Sequence, residues 1–207
     1  LKMGKNRSHG FNNWGKVFEY SENSNNFYAA TAAVNPDENI QRNTGYNQTD
    51  LLQKFFIPLS EKTDLKLNFQ YSTSSDIPRF DRLDEKSGET LKFAEWYYGP
   101  QHRLLISPQL NINPEKSWVY KGTFTLAYQN IKESRIQRKL ESLERAYREE
   151  NVDVFSFNGD FMVPVTKNED RAFTYGFEFL YNDVSSDAFG RTLVVSGNNI
   201  VGFSDNL

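Results

Sequence analysis

The most regular feature of the chain is an alternation of apolar and polar residues with period two. Leu65, Leu67, Phe69 and Tyr71 alternate with Lys66, Asn68, Gln70 and Ser72, so an extended strand there has one apolar and one polar face. The pattern returns four times. His102, Leu104, Ile106, Pro108, Leu110 and Ile112 oppose Arg103, Ser107, Gln109 and Asn111. Trp118, Tyr120, Phe124, Leu126 and Tyr128 oppose Lys121, Thr123, Thr125 and Gln129. Phe155, Phe157, Phe161 and Val163 oppose Ser156, Asn158 and Asp160, and Phe173, Tyr175, Phe177, Phe179 and Tyr181 oppose Thr174, Gly176, Glu178 and Asn182. A sixth strand, 48–57, is apolar at Leu51, Leu52, Phe55, Phe56 and Ile57, which leaves its facing ambiguous. The pattern predicts an all-β, antiparallel meander.

The connectors alternate in length. Short polar turns, each marked by a proline (Pro58, Pro114, Pro164), occupy 58–63, 113–117 and 164–170. Long polar segments lie between them, at about 72–101, 131–150 and from 183 onward, with another before 48. Short turns on one side and long loops on the other is the layout of a transmembrane β-barrel, whereas a soluble sandwich spreads its loop lengths more evenly. The domain reading is one barrel domain over 1–207: an outer loop region at 1–47, strands over 48–183, and a second outer loop region at 184–207. Within 131–150, Ile136, Leu140, Leu143 and Tyr147 fall at i, i+4, i+7 and i+11, an amphipathic-helix signature. A hairpin extending the flanking strands competes with it.

Composition narrows the choice. Among 207 residues 15% are aromatic, and no run approaches the roughly 20 consecutive apolar residues of a membrane helix. That excludes a helical membrane protein but not a strand-spanning one, whose lipid-facing residues alternate with polar ones. Lys66, Arg103, Lys121, Asp160 and Glu178 all fall on the polar parity. On the lipid side, an Arg or Lys at mid-depth would cost about 2–4 kcal/mol. Tyr71, Trp118, Tyr120, Tyr128 and Tyr181 sit near strand ends, where interfacial aromatics belong. A net charge of −3 disfavours a nucleic-acid partner, and the absence of cysteine excludes disulfides and thiolate chemistry.

Longer strings carry a resemblance. Gly45-Tyr-Asn-Gln-Thr-Asp-Leu-Leu-Gln-Lys54, Leu67-Asn-Phe-Gln-Tyr-Ser-Thr-Ser-Ser-Asp-Ile-Pro-Arg-Phe-Asp81 and Ala94-Glu-Trp-Tyr-Tyr-Gly-Pro-Gln101 resemble TonB-dependent outer-membrane receptors of the Bacteroidetes type. So do Ala127-Tyr-Gln-Asn-Ile-Lys-Glu-Ser-Arg-Ile-Gln-Arg138 and Tyr181-Asn-Asp-Val-Ser-Ser-Asp187. The resemblance implies a 22-stranded barrel with a plug domain, of which this chain is an early-to-middle fragment without plug, TonB-box segment or terminal aromatic strand. It implies active uptake of a scarce nutrient such as an iron–siderophore, haem, cobalamin or a glycan, in the outer membrane of a Gram-negative bacterium. The implied partners are TonB through the missing plug region, a small nutrient ligand, outer-membrane lipid and a surface lipoprotein. The alternative reading is a secreted all-β module that binds a ligand or carbohydrate.

Candidate chemistry is sparse. The two histidines, His9 and His102, lack a partner at metal-ligand spacing, and no nucleophile motif occurs, so neither a metal, a cofactor nor a catalytic residue is assigned. His102 reads as interfacial. Asp76, Arg79, Asp81, Arg82, Asp84, Glu85, Lys86 and Glu89 interleave both signs and read as a self-paired loop. For substrate binding the candidates are Trp96, Tyr97 and Tyr98 with Arg103, stacking surfaces beside a fixed positive charge.

Overall fold

The computed structural model describes residues 44–83, 85–88, 90–116, 118–140, 142–165, 171–196 and 199–205, with the short strands Lys2–Met3, Phe18–Tyr20 and Ala32–Val34. Most of the chain is one antiparallel sheet curled into a half-barrel. Its strands are β1 (Tyr46–Ser60), β2 (Thr63–Ser74), β3 (His102–Ile112), β4 (Lys121–Lys139), β5 (Glu144–Pro164), β6 (Ala172–Ser196) and β7 (Asn199–Asp205). Each pairs with its sequence neighbour, and Lys2–Met3 adds to β1 at Tyr46 and Asn47.

The end carrying the short connections is the lower end. Glu61–Lys62 alone joins β1 to β2, 113–120 joins β3 to β4, and 165–171 joins β5 to β6. Residues 117 and 166–170 of these turns lie outside the described set, as do His9, most of 1–47, Asp84 and Glu89.

The register puts the alternating residues on common faces. One cross-strand rung runs Ile57, Leu65, Leu110, Phe124, Gly159, Phe177, and another runs Phe69, Ile106, Tyr128, Phe155, Tyr181. This apolar face is uncovered: Phe55, Leu126, Phe155, Phe173, Phe177, Phe179 and Tyr181 are all exposed. It also fixes the ambiguous first strand, placing Leu51, Phe55 and Ile57 on the apolar face and Leu52 and Phe56 on the other. Gln53 is the one polar residue of β1 within that belt, and its amide donates to the Lys54 carbonyl at 3.2 Å.

The belt crosses the rungs obliquely. At its upper border Leu51, Tyr71 and Leu104 share a rung with Asn130, Asp153 and Asp183, so the apolar residues of β4 to β6 begin one rung lower, at Tyr128, Phe155 and Tyr181. At its lower border β1 stays in register to Ile57, with exposed Leu59 in the bulge beyond it, β3 continues one rung to Ile112, and β5 and β6 continue two, to Val163 and Phe173. From β3 to β6 this is one rung over three strand spacings, about 7 Å over about 14 Å, an inclination of roughly 25°. The upper border drops one rung between the same strands, in the same sense.

The opposite face is mostly polar and internally bonded, with Leu52, Phe56 and Leu180 among its exposed residues. Asn111 donates to Asp64 at 2.7 Å, while Gln109 and Thr123 donate to Asn111 Oδ1 at 3.0 and 3.1 Å.

Above the belt the strands continue. Segment 131–150 is a hairpin, not a helix: β4 runs to Lys139 and β5 starts at Glu144. In the β4–β5 pairing Ile136 faces Tyr147, and Leu140 and Leu143 flank the turn. Spacings mirrored about a turn therefore imitate helical periodicity. From 184 the chain likewise remains a strand to Ser196 and returns as β7. Its partner ladder on β5 fixes this extension, although apolar residues there do not alternate. The segment after β2 forms a strand at Ile77–Pro78, a helical turn at Phe80–Leu83, a small hairpin over 86–91, and the strand Phe93–Tyr98, which pairs with Arg135–Lys139 of β4.

Glycines relieve crowding where strands approach most closely. A Cβ at Gly176 would lie 2.4 Å from the carbonyl oxygen of Gly159, a backbone atom of the neighbouring strand. Gly176→Ala is therefore expected to destabilise the sheet by about 1–3 kcal/mol. Gly202→Ala, with open space around it, should leave the urea midpoint in detergent micelles nearly unchanged.

Candidate functional site

The four sequence candidates do not form one site. Successive residues of an extended strand point to opposite faces, so Trp96 and Tyr98 share one face and Tyr97 takes the other. Trp96 is registered against Gln137 of β4 and Arg103 against Ile131. Six residues along one strand separate them by about 20 Å. Arg103 instead donates to Gln129 at 2.9 Å on the polar face of the belt.

The cation beside the aromatics is Arg79. Its guanidinium lies 5.3 Å from the ring centroids of both Trp96 and Tyr98, whose rings meet edge to face at 5.4 Å. Nε and Nη2 donate to the two carboxylate oxygens of Asp81 at 2.8 and 2.7 Å, and Nη1 donates to the Tyr98 hydroxyl at 2.6 Å. The hydrogen bonds with Asp81 hold the guanidinium above its usual range and the Asp81 carboxyl below its own. The Arg79 N–H donates to the Trp96 carbonyl at 3.0 Å. Three of the five guanidinium hydrogens are thus committed to the loop itself, and the cluster pins 79–83 onto the strand Phe93–Tyr98. Arg82 and Lys92 both pair with Glu85, completing a self-neutralised loop.

On the opposite face of the upper sheet lies a second cluster. Glu95 receives a fork from Arg145, with Nε and Nη2 at 2.6 and 2.5 Å, and lies 3.3 Å from Nε of Arg138. Arg138 is 1% exposed and donates to the Ser142 carbonyl at 3.0 Å. Burial opposes the Arg145 charge, but hydrogen bonds with Glu95 and Tyr147 outweigh it and raise its pKa. Tyr97 lies among them, and burial pushes its phenol up to about 12. Leu91, Phe93, Ala94, Ile136 and Leu193 are buried in the same upper region, which is where the apolar interior sits.

Sequence reading missed Arg79 as the partner of Trp96, and missed Glu95, Arg138 and Arg145. Glu95 and Arg145 are 50 positions apart and meet only through the register of β4. One signal was present: Arg138 continues the apolar parity of β4, where a charge needs a partner. Among the described residues no group of three or more His, Cys, Asp or Glu side chains is arranged to hold a metal ion, and His102 instead shares a 3.0 Å hydrogen bond with Thr73. Comparison with protein-family models, with curated proteins and with solved structures finds no match for the chain.

Two expectations follow from the clusters. Glu95→Gln leaves two arginines short of their counter-charge, one of them fully buried, and should cost about 3 kcal/mol. Hydrogen exchange would register this as lost protection of 135–139 and 144–148. The Asp81 carboxyl is held low, so its pairing contributes above the unfolded value near about pH 4 and is lost as pH falls through the lower folded value. With Trp14 and Trp118 replaced by Phe, the fluorescence of Trp96 should therefore change below about pH 4. Asp81→Asn should abolish that acid transition.

Proposed function

We propose that the chain forms part of the barrel of a TonB-dependent outer-membrane receptor that imports a scarce nutrient into a Gram-negative bacterium. The observation that carries the reading is the oblique apolar belt. A strand crossing a bilayer in a barrel tilts by roughly 35–45°, so a band of constant depth must cut across the hydrogen-bonded rungs. The belt here does so at both borders. Along β6 it runs from Phe173 to Tyr181, nine residues, within the roughly 9–11 residues of a tilted transmembrane strand. An uncovered face of this size would have to be buried in a soluble module.

Further support comes from the borders and the polar face. Tyr128 donates to Asp153 at 2.7 Å at the upper border, and Trp118 and Tyr175 mark the lower one, as amphipathic rings do at headgroup level. The polar face, with its Asp64–Asn111–Gln109–Thr123 chain, faces the lumen. The long upper extensions rise outside the membrane and carry the ligand-binding surface, where Trp96 and Tyr98 supply stacking area. In this reading energy arrives through TonB and a plug domain, and a surface lipoprotein and outer-membrane lipid complete the surroundings.

No helix among the described residues is long and apolar enough to cross a membrane, which bears only on helical spans. The test is depth-dependent substitution. Phe179→Arg at mid-belt should cost about 2–4 kcal/mol of folding free energy in lipid vesicles. Thr125→Arg on the polar face should be tolerated. Equal effects at the two positions, or a chain that stays monodisperse in plain buffer, would favour a secreted binding module.

A further inference from the structure

His102 and Lys132 stand directly opposite each other in the β3–β4 register. They occupy the rung immediately above Leu104, on the face that carries the apolar belt. Thr73 and Asn151 lie on the same rung at either side. Both basic residues are exposed. Among the described residues of β1 to β6 they are the only basic positions on this face between the belt and the rung of Arg138 and Arg145. Lys132 forms no ion pair within 4.0 Å among those residues.

Given the membrane placement proposed above, we infer that His102 and Lys132 form a site for the phosphate headgroup of an outer-leaflet lipid. The position is the first argument, because a lipid whose chains lie along Leu104, Ile106, Tyr128 and Phe155 brings its phosphate to the next rung up. The chemistry is the second. Thr73 Oγ1 lies 3.0 Å from His102 Nδ1. In the tautomer where the threonine hydroxyl donates to Nδ1, the ring carries its hydrogen on Nε2 and offers it as a donor. Lys132 supplies the charge, and the Thr73 and Asn151 side chains add hydrogen-bonding capacity.

The acidic neighbours do not compete equally. Asp153 already accepts hydrogen bonds from Tyr128, Asn130 and Asn151 at 2.7, 2.8 and 3.0 Å. Glu149 and Asp187 face each other on the next rung and, with Glu133 and Glu150, share with Lys132 an open cleft of about 280 Å³. They bound the phosphate site on the β5 and β6 side, so the anion seats over β2 to β4.

The test uses the whole receptor that carries this chain, in phosphatidylcholine nanodiscs doped with bisphosphorylated lipid A or with its dephosphorylated form, with retained lipid counted by native mass spectrometry. The phosphorylated lipid should be retained preferentially, and His102→Gln with Lys132→Gln should reduce that retention roughly five- to tenfold. Lys132→Arg should preserve it. Equal retention of both lipids overturns the inference. So does unchanged retention in a double variant that keeps the heat-modifiable mobility of a folded barrel, or equal occupancy by inorganic phosphate. A receptor that never enters the discs overturns the membrane reading and the inference with it.

Discussion

Everything in this structure depends on the unbroken register of one antiparallel ladder. Side chains alternate strictly along a strand, so a slip of a single residue anywhere would exchange the apolar and polar faces of every strand beyond it. From β1 to β6 no such slip occurs within the belt. The aromatic contacts that cross the rungs, Tyr128 on Phe155 at 4.8 Å, Phe157 on Phe177 at 5.1 Å and Phe161 on Tyr175 at 5.1 Å, reward this one alignment. Gly159 and Gly122 assist by leaving room for the rings of Phe177 and Phe161.

Within the belt nearly the whole fold could be read from the chain, because period-two alternation is a local property and each strand states its own facing. β1 is the exception: Leu51, Leu52, Phe55 and Phe56 satisfy either facing, and only the pairing with Leu67 and Tyr71 decides. Above the belt legibility fails for a physical reason. There the two faces no longer differ consistently in polarity, and the extensions of β4, β5 and β6 are specified by pairing partners distant in sequence. The stripe Ile136, Leu140, Leu143, Tyr147 illustrates the ambiguity, since reflection about a turn generates spacings close to those of a helix.

The candidate site shows the same division. Trp96 and Tyr98 were visible as an aromatic run, but alternation removed Tyr97 to the opposite face and distance removed Arg103. The charge that completes the group comes from Arg79, in a loop whose composition reads as self-paired and whose ion pairs bear that out. An arginine engaged by a carboxylate fork and a tyrosine hydroxyl serves first as a clasp, and its aromatic neighbours offer area more than charge. The Glu95 cluster on the other face works the same way: a single carboxylate pairs with two arginines from β4 and β5 and ties the upper hairpin together beside buried Phe93 and Ile136.

Among the described residues both edges of the sheet are left open. Between Ala172 and Gly190 none of them pairs with the far edge of β6, and they pair with the outer edge of β1 only at Tyr46 and Asn47. β1 descends and β6 ascends, so the two rims have opposite polarity. An added strand that continues the antiparallel order must climb beside β1 and descend beside β6. To continue the apolar face it must also arrive in phase with Phe173 and Tyr181. The rims therefore act as a directional template that selects neighbours by polarity and by the parity of their side chains.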